Sequence, residues 1–191
     1  MLSKDEILKV FYDCGALLEG HFLLTSGLHS PQYLQCALVL QYPKYASELC
    51  SQLAQDFLGD EIELVISPAI GGIVVGHEVA RALGVKALFA ERQEGKLALR
   101  RGFRIHTGQH ALVVEDVITT GGSTREVMEV VTQNGGIVAG IGCLVDRSGG
   151  RVTFPVRMVS LLCLDIPTYE PEKCPLCLQG SVPTKPGSRG L

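Results

Sequence analysis

The feature that most constrains the fold is an alternation of short apolar runs with stretches of helical period. Leu64–Ser67, Val85–Ala90, Ala111–Val114, Ile137–Val145 and Val156–Leu164 are apolar on most consecutive positions rather than on every second one. That is the pattern of strands buried on both faces. Between them lie amphipathic stretches: one ends at Gly84, another runs from the Gly121-Gly122 turn through Gln133 and stops at Gly135 and Gly136. An earlier helix starts near Pro43, with Ala46, Leu49, Cys50, Leu53, Ala54 and Phe57 as its apolar stripe and Gly59 beyond its end. Strands alternating with helices predict an α/β fold, a mostly parallel central sheet flanked by helices. Ligands of such sheets bind in the loops that leave the carboxyl ends of the strands. With 191 residues the chain suffices for one domain with a real core.

The two ends read differently. Ser3 and Glu6 have the spacing of a reciprocal helix cap, and Ile7, Leu8, Phe11 and Cys14 follow at helical intervals up to Gly15. Phe22–Tyr33, FLLTSGLHSPQY, reads as strand and loop. From Pro167 onward the chain holds five of the nine prolines and little periodicity, which predicts an extended tail laid over the surface. The formal charge of −3 lacks the basic footprint that general nucleic-acid binding requires. No apolar run reaches the roughly 18 residues of a membrane span, and the charged start MLSKDEILKV does not read as a signal peptide. The seven cysteines, an odd number, then read as reduced thiols of a cytoplasmic protein.

The most informative segment is HALVVEDVITTGGST, residues 110–124. An apolar strand delivers adjacent carboxylates, Glu115 and Asp116, followed by Thr119, Thr120, Gly121, Gly122, Ser123 and Thr124 at the opening of a helix. Glycines let backbone N–H groups converge on an anion, and the helix start adds partial positive charge. Hydroxyls add donors for phosphate oxygens, and the carboxylates can accept from sugar hydroxyls. A simpler reading makes Ser123 and Glu126 a second capping box, but it leaves the mutually repelling acid pair without a purpose. Together the parts describe a sugar-phosphate site. It is neither a P-loop nor a dinucleotide fingerprint, because Gly-Lys-Ser/Thr and G-x-G-x-x-G are both absent from this context.

VVEDVITTGGST resembles the phosphoribosyl-diphosphate signature of the type I phosphoribosyltransferases. The resemblance implies that family's parallel-sheet core with a small N-terminal hood, here mainly residues 1–40, in a single domain spanning 1–191 with its Pro-rich tail at 167–191. It implies that Glu115 and Asp116 take the ribose hydroxyls, while Val117, Ile118 and Thr119 to Thr124 wrap the 5′-phosphate. Three more segments are similar to the orotate-specific branch of the family. FLLTSGLHSPQY resembles its base-binding stretch, so Ser26 and Tyr33 would meet orotate; many members carry Lys where this chain has Thr25. Ser67-Pro-Ala-Ile-Gly-Gly72 resembles its diphosphate loop, with Ala69 and Gly71 facing diphosphate and magnesium. Residues 91–102, with Arg92, Lys96, Arg100 and Arg101, lie where the family has a mobile basic loop that closes over the neighbouring subunit's site. Arg92 and Lys96 would then meet the departing diphosphate, Lys96 with a catalytic role beside Glu115 and Asp116; otherwise the run is a solvated hairpin tip. Arg147 matches the position that holds the substrate's carboxylate, with Thr119 beside it on the pyrimidine ring; the plainer reading pairs Arg147 with Asp146.

The resemblance thus implies magnesium-dependent transfer of ribose 5-phosphate from 5-phosphoribosyl 1-diphosphate to N1 of orotate. Products would be orotidine 5′-phosphate and diphosphate, in pyrimidine nucleotide synthesis, made by a homodimer. Magnesium would be held mainly by the substrate. The rivals are a phosphoribosyltransferase for another nucleobase and a non-catalytic regulator that senses phosphoribosyl diphosphate. Outside this frame stands Cys174-Pro-Leu-Cys177. It reads as two packed thiols, a redox pair, or a structural zinc site with Cys163 as the nearest third ligand. The five histidines show no ligand spacing in sequence and are assigned no role.

Overall fold

The computed structural model of the chain describes residues 1–24 and 26–186. Thr25, the departure from the lysine of related sequences, and residues 187–191 lie outside them. Helix α1 (Lys4–Asp13) opens with the reciprocal cap its spacing predicts: Ser3 N–H donates to Glu6 Oε2 (2.7 Å) and Glu6 N–H to Ser3 Oγ (3.3 Å). It buries Ile7 and Phe11, and the chain turns away at Gly15, whose φ of +67° suits a residue without Cβ. A two-stranded antiparallel sheet follows, β1 (Leu17–Leu23) and β2 (His29–Leu34). Then come α2 (Ala37–Leu40), α3 (Pro43–Gln55), β3 (Leu64–Pro68), α4 (Gly72–Leu83), β4 (Lys86–Gln93), β5 (Lys96–Leu99), β6 (His110–Ile118), α5 (Gly122–Gln133), β7 (Ile137–Asp146) and β8 (Met158–Cys163). The six-stranded sheet has the order β5-β4-β3-β6-β7-β8, parallel throughout except for β4 against β5.

Alternate residues of the central strands feed two apolar layers. Val65, Leu112, Val114, Leu144 and Leu162 pack with Ile7 and Phe11 of α1, Leu49 and Leu53 of α3, and Val75 and Val79 of α4. Their neighbours Leu64, Ile66, Ala111, Val113, Ile141 and Cys143 pack on the other face with Val127, Val130 and Val131 of α5. Burial on both faces explains why these strands read as unbroken apolar runs. Close helix–sheet approach depends on small residues. A Cβ at Gly76 of α4 would stand 2.7 Å from Ser67 Oγ, so this glycine sets α4 against the end of β3.

Three expectations change. The short helix α2 was hidden because four residues carry too little period to be recognised. Residues 91–99 are largely a β-hairpin, with Glu94 and Gly95 at its tip in left-handed backbone (φ 52° and 86°). The tail is only partly extended. It forms a 3₁₀ turn (Pro171–Lys173) and the short helix α6 (Pro175–Leu178), and it pairs with the β1–β2 hairpin through Tyr169 opposite His29 and Thr184 opposite Phe22. Pairing of residues more than 130 positions apart leaves no local trace in sequence.

Candidate active site

Strand β6 carries Glu115 and Asp116 to the carboxyl edge of the sheet. Glu115 is buried, 7% exposed, and its Oε1 accepts from Asp116 N–H (3.3 Å); Asp116 Oδ1 accepts from Val117 N–H (2.9 Å). Burial pushes the Glu115 carboxyl well above the usual carboxylate range, and the neighbouring Asp116 charge pushes it further. Burial raises Asp116 as well. Opposite them runs the turn after β3, whose Ala69 N–H donates to Ala90 O (2.8 Å) and whose Ala69–Ile70 peptide is cis. A Cβ on Gly71 would lie 3.0 Å from an Asp116 carboxylate oxygen, and one on Gly72 3.3 Å from Glu115 Oε1. The backbone approaches the acid pair this closely because side chains are missing there, so Ala69 and Gly71 stand beside Asp116.

After β6, Thr119, Thr120 and Gly121 turn into α5. Gly121 is the N-cap, at φ +75°, and a Cβ there would meet Arg125, Phe154 and Val152 at 2.7–2.9 Å. No side chain caps the helix. The Ser123–Glu126 box does not form, because Glu126 accepts a two-bond fork from Arg92 (2.8 and 2.9 Å) and a third bond from Leu97 N–H (3.3 Å). The first-turn N–H groups of α5 therefore face a notch of about 50 Å³ lined by Glu115 and residues 117–124, suited to an anion. Arg125, to which the sequence analysis assigned no role, braces this turn. Its Nη1 donates to Thr120 O (2.8 Å), its Nη2 to Thr153 O (3.1 Å), and its guanidinium lies 4.8 Å from the Phe154 ring centre. Arg125→Ala is expected to raise the Kd of a sugar-phosphate ligand about three- to tenfold with little change in Tm. Titration of phosphoribosyl diphosphate checks this; an unchanged Kd would show that the turn holds itself.

Thr119 and Thr120 also line a larger adjoining crevice of about 730 Å³, and in it stand Ser26, Tyr33 and Arg147. The four residues expected around a base, Ser26, Tyr33, Thr119 and Arg147, are thus brought together from the β1–β2 hairpin, the β6–α5 turn and the end of β7. Arg147 N–H donates to Ile118 O (2.8 Å), which couples the crevice wall to the anion turn. The expected alternative pair with Asp146 does not form. That carboxylate accepts instead from Ser148 N–H (2.8 Å) and Gly150 N–H (3.0 Å) and folds the turn after β7. Among the described residues Arg147 has no ion-pair partner, while Arg151 on the same crevice is paired with Asp165 (2.8 Å). Burial lowers the Arg147 pKa, yet a guanidinium remains charged at neutral pH. Ile166 and, from the start of the tail, Thr168 complete the wall; reading the tail as surface had missed Thr168.

Two groups of expected residues lie elsewhere. Arg92 is held on Glu126, and Lys96 lines a groove with Glu126, Glu129 and Gln133 that shares no residue with the crevice or the notch of the same chain. Arg101 is paired with Glu91 (2.8 Å). The trio Cys163, Cys174 and Cys177 is not a cluster. Cys163 is exposed at the end of β8, with its thiol near Asp146 Oδ2 (3.7 Å). Cys174 and Cys177 instead meet His21 and His29, the two histidines of the β1–β2 hairpin.

Comparison with known proteins agrees with this architecture. Residues 41–162 match the family model of the phosphoribosyl transferase domain. An orotate phosphoribosyltransferase of Pelotomaculum thermopropionicum is 59% identical over 190 residues, covering 100% of both chains. One of Chlorobium phaeobacteroides is 54% identical, covering 100% of this chain and 98% of its own. Among solved structures, orotate phosphoribosyltransferase from Aeropyrum pernix is 29% identical at a TM-score of 0.66, covering 83% of this chain and 93% of that one.

Proposed function

The chain belongs to the orotate phosphoribosyltransferase family, and on that premise we propose how its crevice and anion turn carry out transfer of ribose 5-phosphate from 5-phosphoribosyl 1-diphosphate to N1 of orotate. The products are orotidine 5′-phosphate and diphosphate, a step of pyrimidine nucleotide synthesis. The observation that carries the residue assignment is Arg147: a half-buried guanidinium without an ion-pair partner among the described residues, in a crevice continuous with an anion turn. A planar cation in such a place suits the orotate carboxylate, which it can bind through two parallel bonds. Thr119, Ser26 and Tyr33 offer hydroxyls to the ring. The 5′-phosphate sits on the N–H groups and hydroxyls of Thr119 to Thr124, with Val117 and Ile118 leading into that turn.

Bond breaking at the sugar leaves positive charge on the ring as diphosphate departs with the bonding electrons, and N1 of orotate takes the vacated bond as its proton passes to the diphosphate or to water. Glu115, which burial keeps protonated at neutral pH, and Asp116 orient the ribose hydroxyls, and the Asp116 carboxylate opposes that charge electrostatically; neither needs to act as a nucleophile. The chemistry of the donors fits a magnesium ion held chiefly by the diphosphate. The described residues gather only two carboxylates here, both hard oxygen donors, beside the open backbone of Ala69 and Gly71. When bound, the ion neutralises the leaving diphosphate. We read the chain as one domain with its hood at 1–40, working in the cytoplasm, a placement that its seven free thiols suit. No described helix is long and apolar enough to cross a membrane.

Arg92 is held on Glu126 and Lys96 lines the groove beside α5 rather than this chain's own crevice, so their part is assigned to the neighbouring subunit of a homodimer, with Lys96 on the departing diphosphate. This predicts subunit complementation. Lys96→Ala and Asp116→Asn chains, each nearly inactive alone, should regain about a quarter of wild-type activity when unfolded, mixed in equal amounts and refolded, because mixed dimers hold one intact site. Absence of recovery would return the loop to its own subunit. The reaction itself is tested by mass spectrometry, with one orotidine 5′-phosphate expected per diphosphate released. Binding of phosphoribosyl diphosphate without product would favour a regulator.

A further inference from the structure

We propose that His21, His29, Cys174 and Cys177 form a closed tetrahedral zinc site that staples the C-terminal tail to the β1–β2 hairpin. The four residues come from three separate stretches of chain: β1, β2, and the turn that opens α6. His21 Nε2 lies 3.0 Å from His29 Nδ1, 3.4 Å from Cys174 Sγ and 3.8 Å from Cys177 Sγ; His29 Nδ1 lies 3.3 Å from Cys177 Sγ. One ligand atom from each residue falls within 4.8 Å of all the others. Tetrahedral zinc, with bonds of about 2.05 Å to nitrogen and 2.3 Å to sulfur, separates its ligands by about 3.4 Å for two nitrogens and about 3.6 Å for nitrogen and sulfur. The observed nitrogen–sulfur separations bracket their edge, and the two nitrogens stand about 0.4 Å inside theirs.

The surroundings also fit. His21, His29 and Cys174 are buried, at 7%, 6% and 0% exposure, so the centre has no room for a substrate and is of the structural kind. His21 Nδ1 contacts Ser181 Oγ (3.1 Å), an outer partner that turns Nε2 toward the sulfurs. Leu178 N–H donates to Cys174 O (3.1 Å) and closes a tight turn around the C-x-x-C pair. Two thiolates and two imidazoles in tetrahedral array select zinc over magnesium or calcium, which take oxygen.

The staple lies where the crevice needs it. His29 and Tyr169 exchange both backbone bonds (2.9 Å each), Ser30 Oγ donates to Pro167 O (3.0 Å), and Leu23 N–H to Thr184 O (2.8 Å). The tail thereby carries Thr168, next to Ile166, into the wall of the crevice that Thr119 also lines. The metal site itself does not depend on the reading of that crevice.

The test is metal analysis of the full chain, purified under reducing conditions from zinc-supplemented cells and dialysed. About one zinc per chain is expected, and a cobalt-substituted sample should show the intense visible bands of a tetrahedral thiolate site. His29→Ala and Cys177→Ser should abolish stoichiometric metal and lower Tm by more than about 5 °C; Cys163→Ser should retain it. Should the variants fail to fold, a mercurial titration of the wild-type chain serves instead: zinc release should coincide with loss of two protected thiols. Metal-free protein that takes up neither zinc nor cobalt overturns the proposal. So does a Cys174–Cys177 disulfide whose reduction brings no metal uptake, and so does zinc retained in His29→Ala and Cys177→Ser.

Discussion

Replacing Arg147 with alanine is expected to lower kcat/KM for orotate about 100- to 1,000-fold, while the Kd for phosphoribosyl diphosphate changes by less than about threefold. The asymmetry follows from position. The guanidinium is half-buried and has no ion-pair partner among the described residues, so its attraction is reserved for a ligand. Its backbone tie to Ile118 O (2.8 Å) survives the substitution, so the anion turn keeps its shape. Arg147→Lys retains charge but loses the planar fork, and about a tenfold deficit is expected to remain. Tm should hold steady or rise, because an unpaired, partly buried cation is a burden to the folded chain. Steady-state kinetics in both substrates, with a binding titration, checks this. Equal loss toward both substrates would move Arg147 from base recognition to maintenance of the anion turn.

The second large effect concerns the acid pair. The variant carrying Glu115→Gln and Asp116→Asn is expected to lose activity by at least about 100-fold and to gain about 1–2 kcal/mol of stability. Both carboxylates are pushed up by burial, and Glu115 is pushed further by its neighbour. The sign follows from proton counts. Glu115 holds its proton more tightly folded than unfolded, so above the ordinary value of 4.5 the unfolded chain binds fewer protons and folding weakens as pH rises. The loss continues until the raised folded-state pKa is passed. Glu115→Gln should flatten that part of the stability–pH curve. Denaturant titrations across pH 5 to 9 read this out; a wild-type curve that rises through the same range would contradict the burial argument.

Much of this architecture was legible because burial writes itself locally. Runs such as Leu64–Ser67 and Ala111–Val114 are apolar because both faces are covered, and the Ser3–Glu6 cap spans one helical turn. The anion turn was legible for the same reason: strand, acid pair, glycines and helix start are contiguous. Where contacts cross long distances, sequence was silent. Arg125 looks solvated until Thr120 O and Phe154 are folded against it. Glu126 matched a capping box, but the fork from Arg92, 34 residues away, holds it, and Gly121 rather than Ser123 sits at the N-cap. The Cys163 expectation failed for a related reason. Nearness in sequence put it beside Cys174, while β8 carries it to the other end of an excursion that returns to His21 and His29.

The most direct test of the central claim follows the ultraviolet loss of orotate in the presence of phosphoribosyl diphosphate, with and without magnesium, and with adenine, hypoxanthine and uracil run in parallel. Magnesium-dependent consumption of orotate alone is expected. Consumption of another base at a comparable rate, or of none while phosphoribosyl diphosphate still binds, would contradict it.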